Sequence, residues 1–513
     1  MKKLNAFIYT LILCAAISCK KDIIEQTEGI AALNPTTTDA NAGDWKTILL
    51  SSGAEIDVPA PLPIANPLYV AELNEIKGLQ QNITKDQQKE IDYWAAGGVL
   101  RWNEIMRELV AKYNLPPYQN EDGTYPFPQA ANPFAYPLFP FSNPPYAARA
   151  YAYIAAAQYD ALVATWHYKK LYGRLAPYKN TTGINPMVSP TDLPSYPSEA
   201  AVLAGTTAEM MKLLFPTEIA NIEQKAASHQ LSMMRAGAAT RSDMLGGEAL
   251  GRAVAQKFIT RARNDKAGAA IGTPASWKQL EDDCKARGEM AWISLESPKR
   301  PPMLPGFGKV IPILMPAADL IALRPGPPPL TGSPQLAKET QEVYDFVKKQ
   351  DRENFRIAHF WADGVGTYSP PGHWNAIAAK DFIAQNLSEV KWSRNMALLN
   401  LAMMDAAISC WDTKYFYFNA RPCQIYPAIK TLTGVPNFPA YTSGHSTFSA
   451  AAATVLSYLT PARAADYTKM ANEASLSRII AGIHFRSDCD EGAKVGKKIG
   501  EYYMNRGNTD GAR

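Results

Sequence analysis

The 513-residue chain lacks a strong charge excess and long apolar runs, and each shortage excludes a class of protein. Lysine and arginine total 52 against 48 acidic residues, and removing a leader with two lysines leaves 50 − 48 = +2. So small an excess argues against a general nucleic-acid binder. The apolar run without charged residues at the very start covers 14 residues, 5–18, which is too short to span a bilayer comfortably. A polytopic membrane enzyme is therefore excluded.

Cysteine is also scarce, and the six cysteines include no Cys-x-x-Cys pair. A zinc ribbon is therefore not predicted. Outside the cytoplasm a disulfide is permitted, for example between Cys423 and Cys489, but spacing alone does not decide whether it forms. Disorder is excluded as well, because 47% of the residues are hydrophobic and only 19% are charged.

The first residues resemble a bacterial export signal. Lys2 and Lys3 precede the apolar run, and small residues lead to Cys19 in a lipobox-like site. We expect residues 1–18 to be a lipoprotein signal peptide, Cys19 to carry the lipid, and 19–66 to be a tether and N-terminal extension. The expected product is an exported lipoprotein on the periplasm-facing outer membrane or the cell surface, touching the membrane only through its lipid. The alternative is a short buried N-terminal element.

Apolar residues at helical spacing dominate the body of the chain, and none of these stretches shows sustained period-two alternation. Proline- and glycine-rich segments separate them, notably 116–145, 297–334 and 367–373. The sequence therefore predicts an all-α fold over 67–505. The predicted helices are Ala147–Tyr172, Glu199–Gln230, Leu245–Arg263, Asp381–Tyr417, Ser446–Leu459 and Ala464–Ile483.

A self-comparison reveals an internal repeat with an offset of 245 residues. The ungapped register aligns Trp166 with Trp411 and Lys169 with Lys414, and the Arg-Ser-Asp run at 241–243 with the one at 486–488. Matches of rare residues in one register are more informative than the many alanine matches. We infer two pseudo-repeated helical bundles, about 145–260 and about 390–505.

Three polar clusters interrupt the apolar background of the second bundle. They supply one lysine and two arginines, a serine hydroxyl with N–H donors at a helix start, and two histidines. Such a set suits a tetrahedral oxyanion, because cations and N–H groups neutralise its oxygens and imidazoles bond its central atom or move a proton. In chain order the clusters are Lys414 and Arg421-Pro422, then Ser443-Gly444-His445, then Ser477-Arg478, His484 and Asp488.

The first bundle serves as a control, because the repeat places other residues at the same positions. The counterparts of Arg421, Gly444, His445, Arg478 and His484 are Ala176, Glu199, Ala200, Met233 and Ala239. Residues that only held helices together should persist in both copies. We therefore predict one active bundle and one degenerate bundle. Lys414, Ser443, Trp411 and Asp488 have counterparts, so part of their role is expected to be structural.

The spacing Lys-x6-Arg-Pro, Ser-Gly-His and Ser-Arg-x5-His-x3-Asp resembles the signature of the type 2 phosphatidic acid phosphatase and vanadium haloperoxidase superfamily. One departure is Thr442, where the usual pattern has proline. Chain length and the double bundle resemble the soluble haloperoxidases, which are all-α. Trp411 and Phe438 resemble the halide-side wall of bacterial iodide-type enzymes; the alternative is that both are core aromatics.

The resemblance implies a vanadate cofactor, with hydrogen peroxide and a halide, iodide or bromide, as substrates. His484 would bind vanadium, His445 would be the acid–base residue, and the oxygens would be held by Lys414, Arg421, Ser443, Gly444 and Arg478. In an exported acid phosphatase the same pocket would take phosphate. His484 would then be the nucleophile, oriented by Asp488, and His445 would protonate the leaving group. Motifs alone do not separate the two.

A third hypothesis is a non-catalytic surface protein that binds an oxyanion, although the two histidines confined to the second bundle favour chemistry. Two further histidines, His359 and His373, are expected to pack in loops or line the pocket with Trp361 and Trp374, since no paired spacing supports a metal there. Asp160 and Asp405, inside apolar stretches, are expected to accept buried hydrogen bonds. Oligomeric state and halide preference stay open.

Overall fold

The computed structural model describes residues 29–115, 143–189, 193–296, 299–349 and 351–512. The predicted signal peptide, Cys19 and residues 116–142 of the proline-rich segment lie outside this part of the chain. No helix among the described residues is long and apolar enough to cross a membrane.

Within those ranges the chain folds into helices and connecting loops, with one isolated bridge between Ala291 and Asn419 and no strand. The all-α prediction is confirmed. The helices are α1 (Pro67–Leu79), α2 (Lys85–Ala95), α3 (Gly98–Tyr113), α4 (Pro144–Tyr172), α5 (Pro177–Asn180), α6 (Glu199–Leu214), α7 (Ile219–Arg235), α8 (Arg241–Arg263), α9 (Pro274–Ala286), α10 (Ala317–Ala322), α11 (Pro334–Lys348), α12 (Arg352–Phe360), α13 (Ser369–Ile383), α14 (Glu389–Tyr417), α15 (Pro422–Ile425), α16 (Gly444–Leu459), α17 (Ala464–Ile480) and α18 (Arg486–Asn508).

The internal repeat is visible in the helix ends. Helices α4, α6, α7 and α8 recur as α14, α16, α17 and α18, and each begins and ends 245 residues later, as in 389 − 144 = 245. The two long helices, α4 and α14, pack against each other and are buried along almost their whole length. We assign these two sets of four helices to the two bundles that the sequence predicts.

Local sequence explains where these helices start and stop. Ser198 and Ser443 are N-caps at equivalent positions, each accepting from a backbone N–H three residues on. The predicted helix 199–230 is wrong in one respect, because it breaks at Phe215, before Pro216. The predicted helix 381–417 is also interrupted, since Ser388 caps a new helix.

Glycines let the bundles' helices approach closely. Gly251 of α8 lies against the carbonyl of Val202 in α6, and Gly496 of α18 lies against the carbonyl of Thr447 in α16. The two contacts are related by the same offset of 245. At both positions a Cβ would overlap the facing backbone oxygen, so the helix pair would have to separate.

Two buried aspartates hold structure rather than a site. Asp160 accepts hydrogen bonds from the backbone N–H groups of residues 48–50 and so fixes the N-terminal segment to the first bundle. Asp405 accepts from the Tyr503 hydroxyl at 2.6 Å. Burial raises the pKa of Asp405 to about 8. The expectation that both aspartates accept buried hydrogen bonds is confirmed.

The cysteines form no disulfide within the described ranges. Cys284, Cys410, Cys423 and Cys489 are all free thiols. The Cys423–Cys489 bridge that the sequence permits is therefore not formed.

We predict that Gly496→Ala destabilises the protein by about 2 kcal/mol, because the overlap with Thr447 outweighs the helix-propensity gain of alanine. Gly78→Ala is the matched control: this exposed helical glycine has open space around its Cβ position. The control should be neutral or stabilising by up to about 1 kcal/mol. Denaturant unfolding compares both variants with the wild type, and equal stability of Gly496→Ala would contradict the packing argument.

Candidate active site

The three polar clusters of the second bundle converge on one cavity of about 400 Å³. The ends of α16 and α17 and the loops after α12 and before α16 form its walls. Of the predicted site residues, six line it: Trp411, Phe438, Gly444, His445, Arg478 and His484. Lys414, Arg421, Ser443 and Asp488 lie behind this wall, in contact with residues that form it.

His484 lies in the short turn after α17, where Gly482 has a φ of +80°. Its Nδ1 pairs with Asp488 Oδ2 at 2.9 Å, and that oxygen also accepts from the N–H of Phe485 at 3.0 Å. A proton on Nδ1 leaves the lone pair on Nε2, where it accepts from an Arg421 nitrogen 3.3 Å away. Burial, with Arg421, lowers the pKa of His484 well below its ordinary value, so the ring is neutral.

Arg421 follows the end of α14, as Pro422 predicted, and its guanidinium is fully buried. It donates to the carbonyl oxygens of Phe438 and Ile483. Lys414, on the last turn of α14, donates to the carbonyls of Pro439 and Ala440 at 2.8 and 2.9 Å. Both cations therefore meet the segment 438–440 from behind the cavity.

Arg478 lies near the end of α17 and lines the cavity directly. Its guanidinium donates to the carbonyl of Trp361 at 2.6 Å and to the hydroxyl of Ser477 at 2.9 Å. Among the described residues, no carboxylate comes within 4 Å of a nitrogen of Lys414, Arg421 or Arg478. The three buried cations thus have carbonyl and hydroxyl partners but no carboxylate in direct contact. Asp363, which also lines the cavity, acts on the charge of Arg478 from a greater distance.

Burial disfavours the charged forms of Lys414, Arg421 and Arg478. Burial lowers the pKa of Lys414 to about 8, with Arg421 acting in the same direction, and burial lowers the pKa values of Arg421 and Arg478 to about 10. Burial also raises the pKa of Asp488 to about 7, which weakens the negative charge that this carboxylate places beside His484. An anion entering the cavity would offset this excess.

The start of α16 adds an N–H cradle. Ser443 caps the helix through its own hydroxyl, and its backbone N–H donates to the Asp488 carbonyl at 2.8 Å. Gly444 lines the cavity, and a Cβ there would approach no protein atom closer than 3.8 Å. Protein packing therefore does not require glycine at 444, whereas close approach of a ligand to the helix N-terminus would. Vanadate or phosphate fits this donor set.

His445 and two aromatic residues form the remaining walls. His445 Nε2 lies 3.5 Å from Asp363 Oδ2. Trp411 and Phe438 contact each other at 5.0 Å between ring centroids, and the Phe438 ring lies 5.0 Å from both the Lys414 nitrogen and the Arg421 guanidinium carbon. The aromatic pair therefore lies between the cations and an apolar side of the cavity.

The first bundle has a smaller cavity, about 190 Å³, at the equivalent place. Lys169 donates to the Pro194 carbonyl there, as Lys414 does to Pro439. Glu199, at the position of Gly444, accepts from Trp166 Nε1 at 2.9 Å and lies 3.5 Å from the Lys169 nitrogen. An internal carboxylate thus lies beside Lys169, whereas Lys414 has no carboxylate within 4 Å among the described residues.

Sequence reasoning missed Asp363. It faces His445 from the turn after α12, and only a single Asp-Gly pair in a Pro/Gly-rich stretch hinted at a special turn there. His373 contacts Asp363 Oδ1 at 3.0 Å and stacks on Trp361, so it does support the pocket wall. His359 is exposed and packs on Phe355. In the described residues no three His, Cys, Asp or Glu side chains gather as a metal site would require.

Comparison with known proteins agrees with this geometry. Residues 395–502, which contain all three clusters, match the sequence model of the PAP2 superfamily. Residues 395–502 belong to the PAP2 superfamily. The superfamily predicted from the motif spacing is thus confirmed for this PAP2 segment.

One curated relative and several solved structures are similar to the chain. A non-specific acid phosphatase from Salmonella typhi is 32% identical over 103 residues, 19% of this chain and 41% of the phosphatase, so the match spans less than half of that protein. The crystal structure of the first bacterial vanadium-dependent iodoperoxidase covers 71% of this chain and 91% of its own, at 24% identity and a TM-score of 0.57. An apo-type bacterial vanadium-dependent chloroperoxidase is 14% identical, covering 70% and 93% of the two chains at a TM-score of 0.48.

The iodoperoxidase comparison extends beyond the PAP2 segment. A match over 71% of this chain requires regions outside residues 395–502, and it shows that the fold is that of a helical haloperoxidase.

We predict that Gly444→Ala leaves thermal unfolding unchanged but weakens binding of phosphate and vanadate by about tenfold or more. The added methyl group has room in the protein but occupies the approach to the N–H cradle. Calorimetric titration with each oxyanion, alongside a melting curve, measures both effects. Undiminished oxyanion affinity in a stable variant would contradict the cradle.

Oxyanion binding should also depend on pH through Lys414. The positive charge of the protonated amine stabilises the bound anion from behind the wall, so affinity is retained below a pKa of about 8 and lost as pH rises through it. Titration across the alkaline range in which phosphate remains a dianion tests this, with Lys414→Met as control. That variant should bind more weakly with a flatter pH profile; a wild-type affinity that holds or rises above this pKa would exclude the role.

Proposed function

We propose that the protein is a vanadate-dependent haloperoxidase that oxidises iodide or bromide with hydrogen peroxide. The observation that supports it best is the set of three buried cations, none in direct contact with a carboxylate, around a neutral His484. The fold likeness adds support, because it covers 71% of this chain, whereas the acid phosphatase match covers 19%.

In this proposal each residue has a defined task. Arg478 and the Gly444 N–H would hold the oxygens from inside the cavity, with Arg421 and Lys414 supplying positive charge from behind. His484 would offer its Nε2 lone pair to vanadium, and Asp488 would keep the proton on Nδ1. When bound, vanadate supplies the centre at which peroxide is activated towards halide.

The chain's own groups manage protons and water. His445, neutral because burial lowers its pKa to about 4, would take a proton from incoming peroxide and later return one. Trp411 and Phe438 would provide an apolar face that excludes water from the halide side. A bound oxyanion would favour protonation of His445 relative to the state described here.

An acid phosphatase is the second candidate, favoured by the His484–Asp488 pair and by the Salmonella typhi match. Here a phosphate monoester is the substrate. His484 Nε2 would attack phosphorus, the ester P–O bond would break, and the leaving oxygen would take a proton from His445. Water would then hydrolyse the phosphohistidine. Oxyanion binding without turnover in either assay would instead favour the non-catalytic hypothesis.

We also propose that the enzyme is exported and anchored through a lipid on Cys19. The motif at 15–19 supports this proposal. Metabolic labelling with a fatty acid, compared between wild type and Cys19→Ala, tests it.

The test of function is peroxide-dependent oxidation of iodide and of bromide by protein loaded with orthovanadate. We predict turnover that falls at least 100-fold in His484→Ala and in His445→Ala. Vanadium content is measured in the same samples, so that loss of cofactor is separated from loss of chemistry. His359→Ala, an exposed histidine away from the cavity, is the matched control. No oxidation of either halide at stoichiometric vanadium, with efficient hydrolysis of an aryl phosphate, would establish the phosphatase instead.

A further inference from the structure

Asp363 occupies the turn after α12 and belongs to none of the three motif clusters. Its side chain is 7% exposed and lines the cavity. Its φ is +44°, a left-handed conformation that aspartate and asparagine adopt more readily than other non-glycine residues. Such backbone strain at a cavity wall is typical of functional positions.

The carboxylate and His445 share an unusual feature. Asp363 Oδ2 and His445 Nε2 are both buried atoms without a hydrogen-bond partner within the described part of the chain, and they lie 3.5 Å from each other. A small decrease in the distance between these two atoms would form a hydrogen bond. Catalytic hydrogen bonds are often this long before the ligand binds.

The other carboxylate oxygen is held from behind. His373 Nδ1 lies 3.0 Å from Asp363 Oδ1, and its ring stacks on Trp361 with 4.7 Å between centroids. The carbonyl of Trp361 accepts from Arg478 at 2.6 Å. One turn of chain therefore fixes Arg478 and presents Asp363 to His445.

We propose that Asp363 is a positioning residue that accepts a hydrogen bond from His445 Nε2 and fixes the proton on that nitrogen. The lone pair is then on Nδ1, which makes no hydrogen bond to the described residues, and His445 lines the cavity in which a reactant would bind. Nδ1 becomes the atom that exchanges a proton with a bound reactant. The inference rests on the proposed function only in giving His445 the acid–base role, which both candidate reactions share.

The charges around this pair are consistent with the arrangement. Burial alone would raise the pKa of Asp363, but His373 and His445 hold it below its ordinary value, so the group is an anion at neutral pH. Arg478 and His373 are the other charged or titratable groups that act on His445, and both disfavour its imidazolium form. His445 is therefore neutral at pH 7, so only one of its two ring nitrogens carries a proton.

The decisive experiment determines the tautomer of His445 by NMR and does not depend on turnover. Protein labelled with ¹⁵N-histidine has six histidines and therefore twelve ring-nitrogen signals, and His445→Gln assigns the His445 pair by removing it. We expect the Nε2–H tautomer in the wild type at pH 7 and a mixed or reversed tautomer in Asp363→Ala, with Asp363→Glu restoring the wild-type form in part. Asp381→Asn is the matched control, since Asp381 is a buried carboxylate paired with Arg463 and Tyr467 outside the cavity. It should leave the His445 signal unchanged.

Kinetics provide the second measurement. Asp363→Asn keeps a residue that tolerates the positive φ, so it should fold, and kcat should fall about 10- to 100-fold with KM little changed. A wild-type tautomer that persists in Asp363→Ala, or an unchanged kcat in Asp363→Asn, would overturn the inference. If the wild type itself shows no turnover, the proposed function fails, while the NMR result still decides the role of Asp363.

Discussion

The site depends on three buried cations that no carboxylate contacts directly within the described part of the chain. Lys414, Arg421 and Arg478 are almost fully buried, and their partners are carbonyl and hydroxyl oxygens. Burying an unpaired charge is costly, and a fold retains such a cost where a ligand removes it. The constraint accounts for the depressed lysine pKa, the neutral His484 and the open space at Gly444. It makes the second bundle suited to bind an oxyanion.

The duplicated fold provides an internal comparison for this argument. In the first bundle Lys169 keeps the same carbonyl contact, yet a glutamate at 199 replaces glycine and supplies the missing anion. The arginine and histidine positions there carry alanine and methionine. The same bundle arrangement thus has two electrostatic solutions. The first places a carboxylate beside its lysine, and the second leaves space where an external anion could bind.

Much of this arrangement could be predicted from the sequence, and the parts that could not have physical reasons. The offset of 245 identified the repeated helices because both copies conserve helix ends and caps. Arg478 and His484 are six residues apart, which would place them out of line on a continuous helix. The turn at Gly482 ends the helix and brings both to the cavity. Gly482 indicated a break in the helix, but no local sequence pattern predicted the direction of the chain after it.

Residues that meet only in three dimensions escaped the sequence. Asp363 precedes His445 by 82 residues (445 − 363) and contacts it through the packing of a separate turn, so no motif spacing could reveal it. Lys414 and Arg421 were expected to contact the oxyanion, yet they lie behind the wall and act through charge and through carbonyls 438–440. Side-chain identity predicted the chemistry, while tertiary packing decided which groups reach the cavity and which support it.

The central claim is that these cations and both imidazoles serve one bound anion. A crystal structure grown with orthovanadate tests it most directly. The account predicts a single vanadium bonded to His484 Nε2, with Arg478 and the Gly444 N–H in contact with its oxygens. A vanadium absent from this cavity, or bound by the first bundle, would contradict it.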